Sequence, residues 1–134
     1  ETITNEILSA ESQLLALLRQ GKILTGVAMH RQTPDYRNIW NGEIKTYEQL
    51  ENRLKAGLDK GLKSIDYQVK ERTFLFIDTD NVIETLTATE TTTMDSGQSI
   101  TSRNTAISIL WQNVDGNWQL GYLHASELPE EKNQ

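Results

Sequence analysis

The sequence contains no cysteine, which excludes disulfide frameworks, thiolate-held metals and cysteine nucleophiles. It has only two histidines, His30 and His124. Two imidazoles need carboxylates converging on them to hold a metal, and neither Asp35 nor Asp66 shows such convergence, so no metal and no cofactor is expected. Positive charge is scarce as well: 13 Lys and Arg face 19 Asp and Glu, for a formal net charge of -6. Nucleic acid and basic membrane-surface helices both depend on clustered cations, so neither nucleic-acid binding nor membrane insertion is expected. No apolar run approaches the ~20 residues of a membrane span. What remains is a chain of 134 residues, 37% hydrophobic and free of low-complexity tracts, long enough to bury a core as one domain. It starts at Glu1 rather than Met, which tilts the expectation towards an exported, periplasmic protein whose leader has been removed.

Periodicity divides the chain into helices first and strands afterwards. Ile3, Ile7, Ala10, Leu14, Leu17 and Leu18 recur at helical spacing and predict an amphipathic helix from Ile3 to Arg19. Gly21 then stands where a left-handed C′ residue is wanted. A weaker segment, Ile23 to His30, predicts a second helix, and Pro34-Asp35 a turn. Tyr36 to Trp40 reads as extended and closes on Asn41-Gly42. Thr46-Tyr-Glu-Gln49 has the form of a capping box and opens a third helix running to about Leu62. Two i,i+4 pairs, Glu51 with Lys55 and Asp59 with Lys63, decorate it.

From Ser64 the period falls to two. Four consecutive strands are predicted over Tyr67–Ile77, Val82–Met94, Ser99–Asn113 and Asn117–Ser126, with Asp115-Gly116 as a strong hairpin signal between the last two. The fold class is therefore α+β, a curved antiparallel sheet wrapped on N-terminal helices. One domain is expected over 1–128, followed by a polar tail at 129–134. In the third strand Thr105, Ile107, Ile109 and Trp111 face one way and Ala106, Ser108 and Leu110 the other. Neither face is strongly polar, so helices should cover one and a second copy of the chain the other.

The terminal hairpin, with Trp111, Asp115-Gly116, Trp118, His124 and Ser126, resembles that of the nuclear transport factor 2-like (NTF2-like) superfamily. The branch it is most similar to holds the SnoaL-like proteins and the association domain of calcium/calmodulin-dependent kinase II. Asn41-Gly42-Glu43 before Thr46-Tyr47, and Asp95-x-Gly97, resemble further turns of that family. The resemblance implies a cone-shaped, cystatin-like fold enclosing a pocket. The kinase association domains line their pocket with arginines that receive carboxylates. A gapless match puts Ile109, Ala125 and Thr89 at those positions, so that chemistry does not carry over.

On this reading Tyr36, Trp40, Thr89, Ile107, Ile109, Trp111, Leu123 and Ala125 are the expected pocket residues. Each also has a plainer reading, because apolar and aromatic side chains are ordinary core and threonine is an ordinary strand former. His30, near the pocket mouth, and His124, on the terminal strand, are the only candidate catalytic residues; His124 shares parity with Ser126, away from Leu123 and Ala125, which favours a structural role. The function expected is a homodimeric small-molecule-binding domain with a mostly apolar pocket and no assigned reaction. Two alternatives stand beside it. One is an isomerase, dehydratase or hydrolase using a pocket His or Asp; the other is an oligomeric association module.

Overall fold

A computed structural model describes residues 2–128. The polar tail expected at 129–134 lies outside the described residues. Helix α1 spans Thr2–Arg19 and buries Ile7, Glu11 and Leu14, one stripe at the expected helical spacing but with a carboxylate in its middle. The helix stops at Gly21 as predicted. Gly21 takes φ +82°, and Lys22 and Gly21 donate their backbone N–H groups to the carbonyls of Leu17 and Leu18, the Schellman pattern.

Helix α2, Ile23–Val27, is a turn and a half, shorter than the predicted Ile23–His30. The chain leaves the helix because His30 is pinned elsewhere, forming a parallel bridge with Leu120. The Arg31 N–H donates to the Leu120 carbonyl (2.8 Å) and the Leu120 N–H to that of Met29 (3.1 Å). Strands β1 (Asn38–Trp40) and β2 (Glu43–Lys45) follow. They form a hairpin across Asn41-Gly42, whose φ values of 49° and 86° are those of a type I′ turn. The turn and β1, which lies inside the extended Tyr36–Trp40, were predicted; β2 was not, because a three-residue strand carries no periodicity to read.

Helix α3, Tyr47–Asp59, opens on the capping box foreseen from sequence: the Gln49 N–H donates to Thr46 Oγ1 and the Thr46 N–H to Gln49 Oε1. It ends three residues before the predicted Leu62, because Gly61 adopts φ +103° and turns the chain directly into β3. Lys63 thus belongs to a strand and the predicted Asp59–Lys63 pair does not form, whereas Glu51–Lys55 does, at 3.6 Å.

The four long strands are β3 (Leu62–Phe76), β4 (Asn81–Met94), β5 (Ser99–Val114) and β6 (Asn117–Glu127). The sheet has six strands, not the predicted four, in the order β2-β1-β6-β5-β4-β3. Its consecutive long strands are antiparallel as expected, but β1 runs parallel to β6, with Ile39 opposite His124. Register shifts interrupt β3 at Leu62/Ser64 and Val69/Glu71, β4–β5 at Ala88/Glu90 and β5–β6 at Leu110/Trp111. Such bulges bend a twisted sheet, and all three helices lie on the side facing the buried residues of β4, β5 and β6. No helix of the described residues is long and apolar enough to cross a membrane.

Candidate functional site

Between the helices and the concave sheet lies a cavity of about 370 Å³. Its walls are apolar. Leu14 and Leu18 come from α1, Val27 from α2, Leu50 and Leu54 from α3, and Leu86, Ile107, Ile109 and Leu123 from the sheet. Four of the residues expected from sequence, Trp40, Ile107, Ile109 and Leu123, line it. The other four do not. Tyr36 is fully buried behind His30, Trp111 is fully buried with its indole turned to Glu84, and Ala125 is core. Thr89 has the opposite parity to Ala88 and Glu90, and its hydroxyl faces the Arg103 carbonyl at 3.5 Å. The gapless match placed it inward, and the register shift at Ala88/Glu90 breaks that match.

The two histidines separate cleanly. His124 sits on the outer face of the sheet, exposed, opposite Ser108. His30 lines the cavity and is buried. Its Nδ1 lies 2.5 Å from the Tyr36 hydroxyl, which also accepts from Asn38 Nδ2 at 3.2 Å. Burial pushes the imidazole pKa down to about 4, so the ring is neutral at physiological pH. Burial likewise pushes the Tyr36 phenol well above its ordinary value.

Carboxyl groups, absent from the sequence-level site, reach the cavity at two places. At one, Glu11 belongs to a buried cluster. Arg72 donates from Nε (2.9 Å) and Nη2 (2.7 Å) to Glu11 Oε1 and lies 3.2 Å from Glu84 Oε2, while the Trp111 indole donates to Glu84 Oε1 at 3.0 Å. Among the described residues, Glu11 Oε2 and Glu84 Oε2 have no hydrogen-bond donor. They satisfy each other if Glu84 is protonated. Burial first, and Glu11 second, push the Glu84 pKa up to about 8, with Trp111 and Arg72 opposing. At the other place Tyr67 donates to Glu90 and the Trp40 indole to Glu127 at 2.6 Å. Burial raises the Glu90 pKa; the Tyr67 hydrogen bond lowers it and the neighbouring Glu127 raises it again.

Two cations, Lys45 and Arg53, also border the cavity, but both are drawn to Glu43, at 3.1 and 2.7 Å. Among the described residues no group of three His, Asp or Glu side chains is arranged to hold a metal ion. The carboxylates had a legible signal. Glu84 and Glu90 share the parity of Val82, Leu86 and Ala88, and a glutamate on an otherwise inward-facing set is a buried or cavity-facing one.

This arrangement of helices and sheet superposes on solved structures over most of the chain. A putative calcium/calmodulin-dependent protein kinase II association domain from Xanthomonas campestris superposes with TM-score 0.76 at 22% identity, covering 94% of this chain and 88% of that one. The fold is NTF2-like. An NTF2-like protein of unknown function in nutrient uptake from Rhodospirillum rubrum matches this NTF2-like chain with TM-score 0.74 at 21% identity, over 92% and 98% of the two chains. A putative scytalone dehydratase from Novosphingobium aromaticivorans reaches TM-score 0.80 at 9% identity, over 94% and 84%. No protein-family model and no curated protein matches the sequence. The likeness is therefore one of NTF2-like architecture, and the chemistry must be argued from the side chains in hand.

Proposed function

We propose that the protein binds a small, uncharged, mostly apolar molecule in this cavity and works as a homodimer. The observation that carries the reading is the composition of the cavity wall. Leucine, isoleucine and valine make up most of it, and its ionisable groups are three carboxyl-bearing residues, Glu11, Glu90 and Glu127, the Tyr67 phenol, a neutral His30 and two cations already paired to Glu43. An anionic ligand would meet carboxylates without a free cation to offset them.

Matched naphthalenes test this. Neutral 2-ethylnaphthalene is expected to raise the melting temperature progressively with its concentration, as any ligand of the native state must. Its anionic relative 2-naphthoate should give no protection. Equal protection by 2-naphthoate, or none from 2-ethylnaphthalene, would overturn the reading.

Support for the dimer comes from the outer face of the sheet. Thr73, Thr85, Ser108 and His124 lie side by side across β3 to β6, flanked by a second row of Leu75, Ile83, Leu110 and Tyr122. No helix covers these small and apolar side chains. Such a face suits an isologous contact with a second copy. Ser108→Arg would set like charges against each other at its centre and should convert a dimer to a monomer, read by light scattering. A ring of many subunits instead would favour an association module.

A catalytic reading, as an isomerase, dehydratase or hydrolase, draws its support from His30. An imidazole held neutral beside a tyrosine hydroxyl at a cavity wall can polarise a substrate carbonyl by donating a hydrogen bond to it.

A further inference from the structure

The hydrogen bonds behind His30 determine what its other nitrogen can do. Asn38 Nδ2 is a donor only, and it points at the Tyr36 hydroxyl oxygen at 3.2 Å. The phenol has a single proton, and the group 2.5 Å away is His30 Nδ1. With Asn38 filling an acceptor position of that oxygen, the phenol donates to Nδ1. A neutral imidazole whose Nδ1 accepts must carry its proton on Nε2. Tyr36 and Asn38 are themselves held firmly: Tyr36 is fully buried, and Asn38 is a β1 residue paired to Leu123 of β6. His30 is fixed by the backbone bridge to Leu120. Its Nε2 has no hydrogen-bond partner among the described residues, although the ring is more than nine-tenths buried and borders the cavity. Nε2 is not one of the fully enclosed side-chain atoms, and a donor without a protein partner beside a hollow is free to meet a ligand.

We infer that His30 Nε2–H is the donor that orients the ligand, and that the ligand class is a neutral carbonyl compound, a ketone or amide whose oxygen accepts that hydrogen bond while its apolar body fills the leucine- and isoleucine-lined space. This rests on the cavity being a binding site, and it adds the polar group the ligand must carry. The imidazole stays neutral, so it selects an acceptor and not an anion. Tyr36 acts through His30: it is a positioning residue that fixes the tautomer and does not touch the ligand.

Two measurements test the inference. In the first, the ketone 2-acetylnaphthalene is compared with its hydrocarbon analogue 2-ethylnaphthalene by calorimetric titration. One hydrogen bond to a buried donor should make the ketone bind about five- to tenfold tighter, and its carbonyl stretch should move to lower wavenumber in the complex. His30→Leu should erase that preference and the infrared shift. Tyr36→Phe, by releasing the tautomer, should shrink the preference without abolishing it.

The second measurement needs no variant and so survives any failure of His30→Leu to fold. Nitrogen-15 NMR of the wild-type imidazole should show a protonated Nε2 and an accepting Nδ1 at neutral pH. A protonated Nδ1 would overturn the inference. So would equal binding of the ketone and the hydrocarbon, an outcome that leaves the cavity reading standing. If neither naphthalene binds, the cavity reading falls and the inference falls with it.

Discussion

Arg72→Met is expected to cost about 3 kcal/mol of stability at pH 7, the lower end of the range found when one partner of a buried ion cluster is removed, because the arginine side chain is 35% exposed, and more at pH 9.5. The guanidinium is the cation between two buried carboxyls, Glu11 and Glu84. Without it, any charge on the pair is uncompensated in the core. The pH dependence follows from the raised Glu84 pKa, about 8 against an ordinary value of 4.5. Below 4.5 both the folded and unfolded states hold the proton, and this group's contribution is present in full. Between 4.5 and 8 the unfolded chain has released it and the native state has not. Stability therefore falls as pH rises through that window, by at most ~1.4 kcal/mol per pH unit for one proton. Loss of Arg72 removes an influence that lowers the Glu84 pKa, so the window extends above 8; wild type and variant share one slope below it, and the penalty grows only as pH rises past 8. Urea titrations at pH 7, 8 and 9.5 measure it. A penalty independent of pH would show that Arg72 does not hold down the Glu84 pKa.

The second large effect concerns binding and spares the fold. Ile109→Trp introduces a bulky side chain into the hollow, from a strand position that suits an aromatic. Filling empty space costs a fold little and can stabilise it, whereas a ligand excluded from that space loses its contacts. Affinity for 2-ethylnaphthalene should fall by about 100-fold or more, equivalent to ~3 kcal/mol, with the melting temperature of the free protein unchanged or raised. Unchanged affinity would place the ligand elsewhere on the molecule.

Local signals were legible in the sequence and long-range ones were not. Helix α1, its stop at Gly21, the capping box at Thr46 and the Asp115-Gly116 hairpin are each written within a few residues, where propensity and turn chemistry act. Alternation put Ile107 and Ile109 on one face, and the family match put Leu123 with them. Strand β2 escaped because three residues are too few to alternate. Glu11 drew no reading from the sequence; its partner Arg72 is 61 positions away, a distance over which no pattern operates. The relay from Asn38 through Tyr36 to His30 lies within nine residues, but it depends on the chain reversing after α2 to meet β6. Nothing in the spacing of those residues announces that reversal.

The position of β6 between β1 and β5 has a consequence for biosynthesis. His30, Asn38 and Trp40 are all anchored to the sixth strand in chain order, through Leu120, Leu123 and Ala125. A nascent chain emerging from the ribosome can form α1 and pair β3 with β4, yet it has nothing to dock its early residues against until Glu127 is free. The cavity thus closes only once β6 has emerged, and until then its oily lining is open to any chaperone that recognises it.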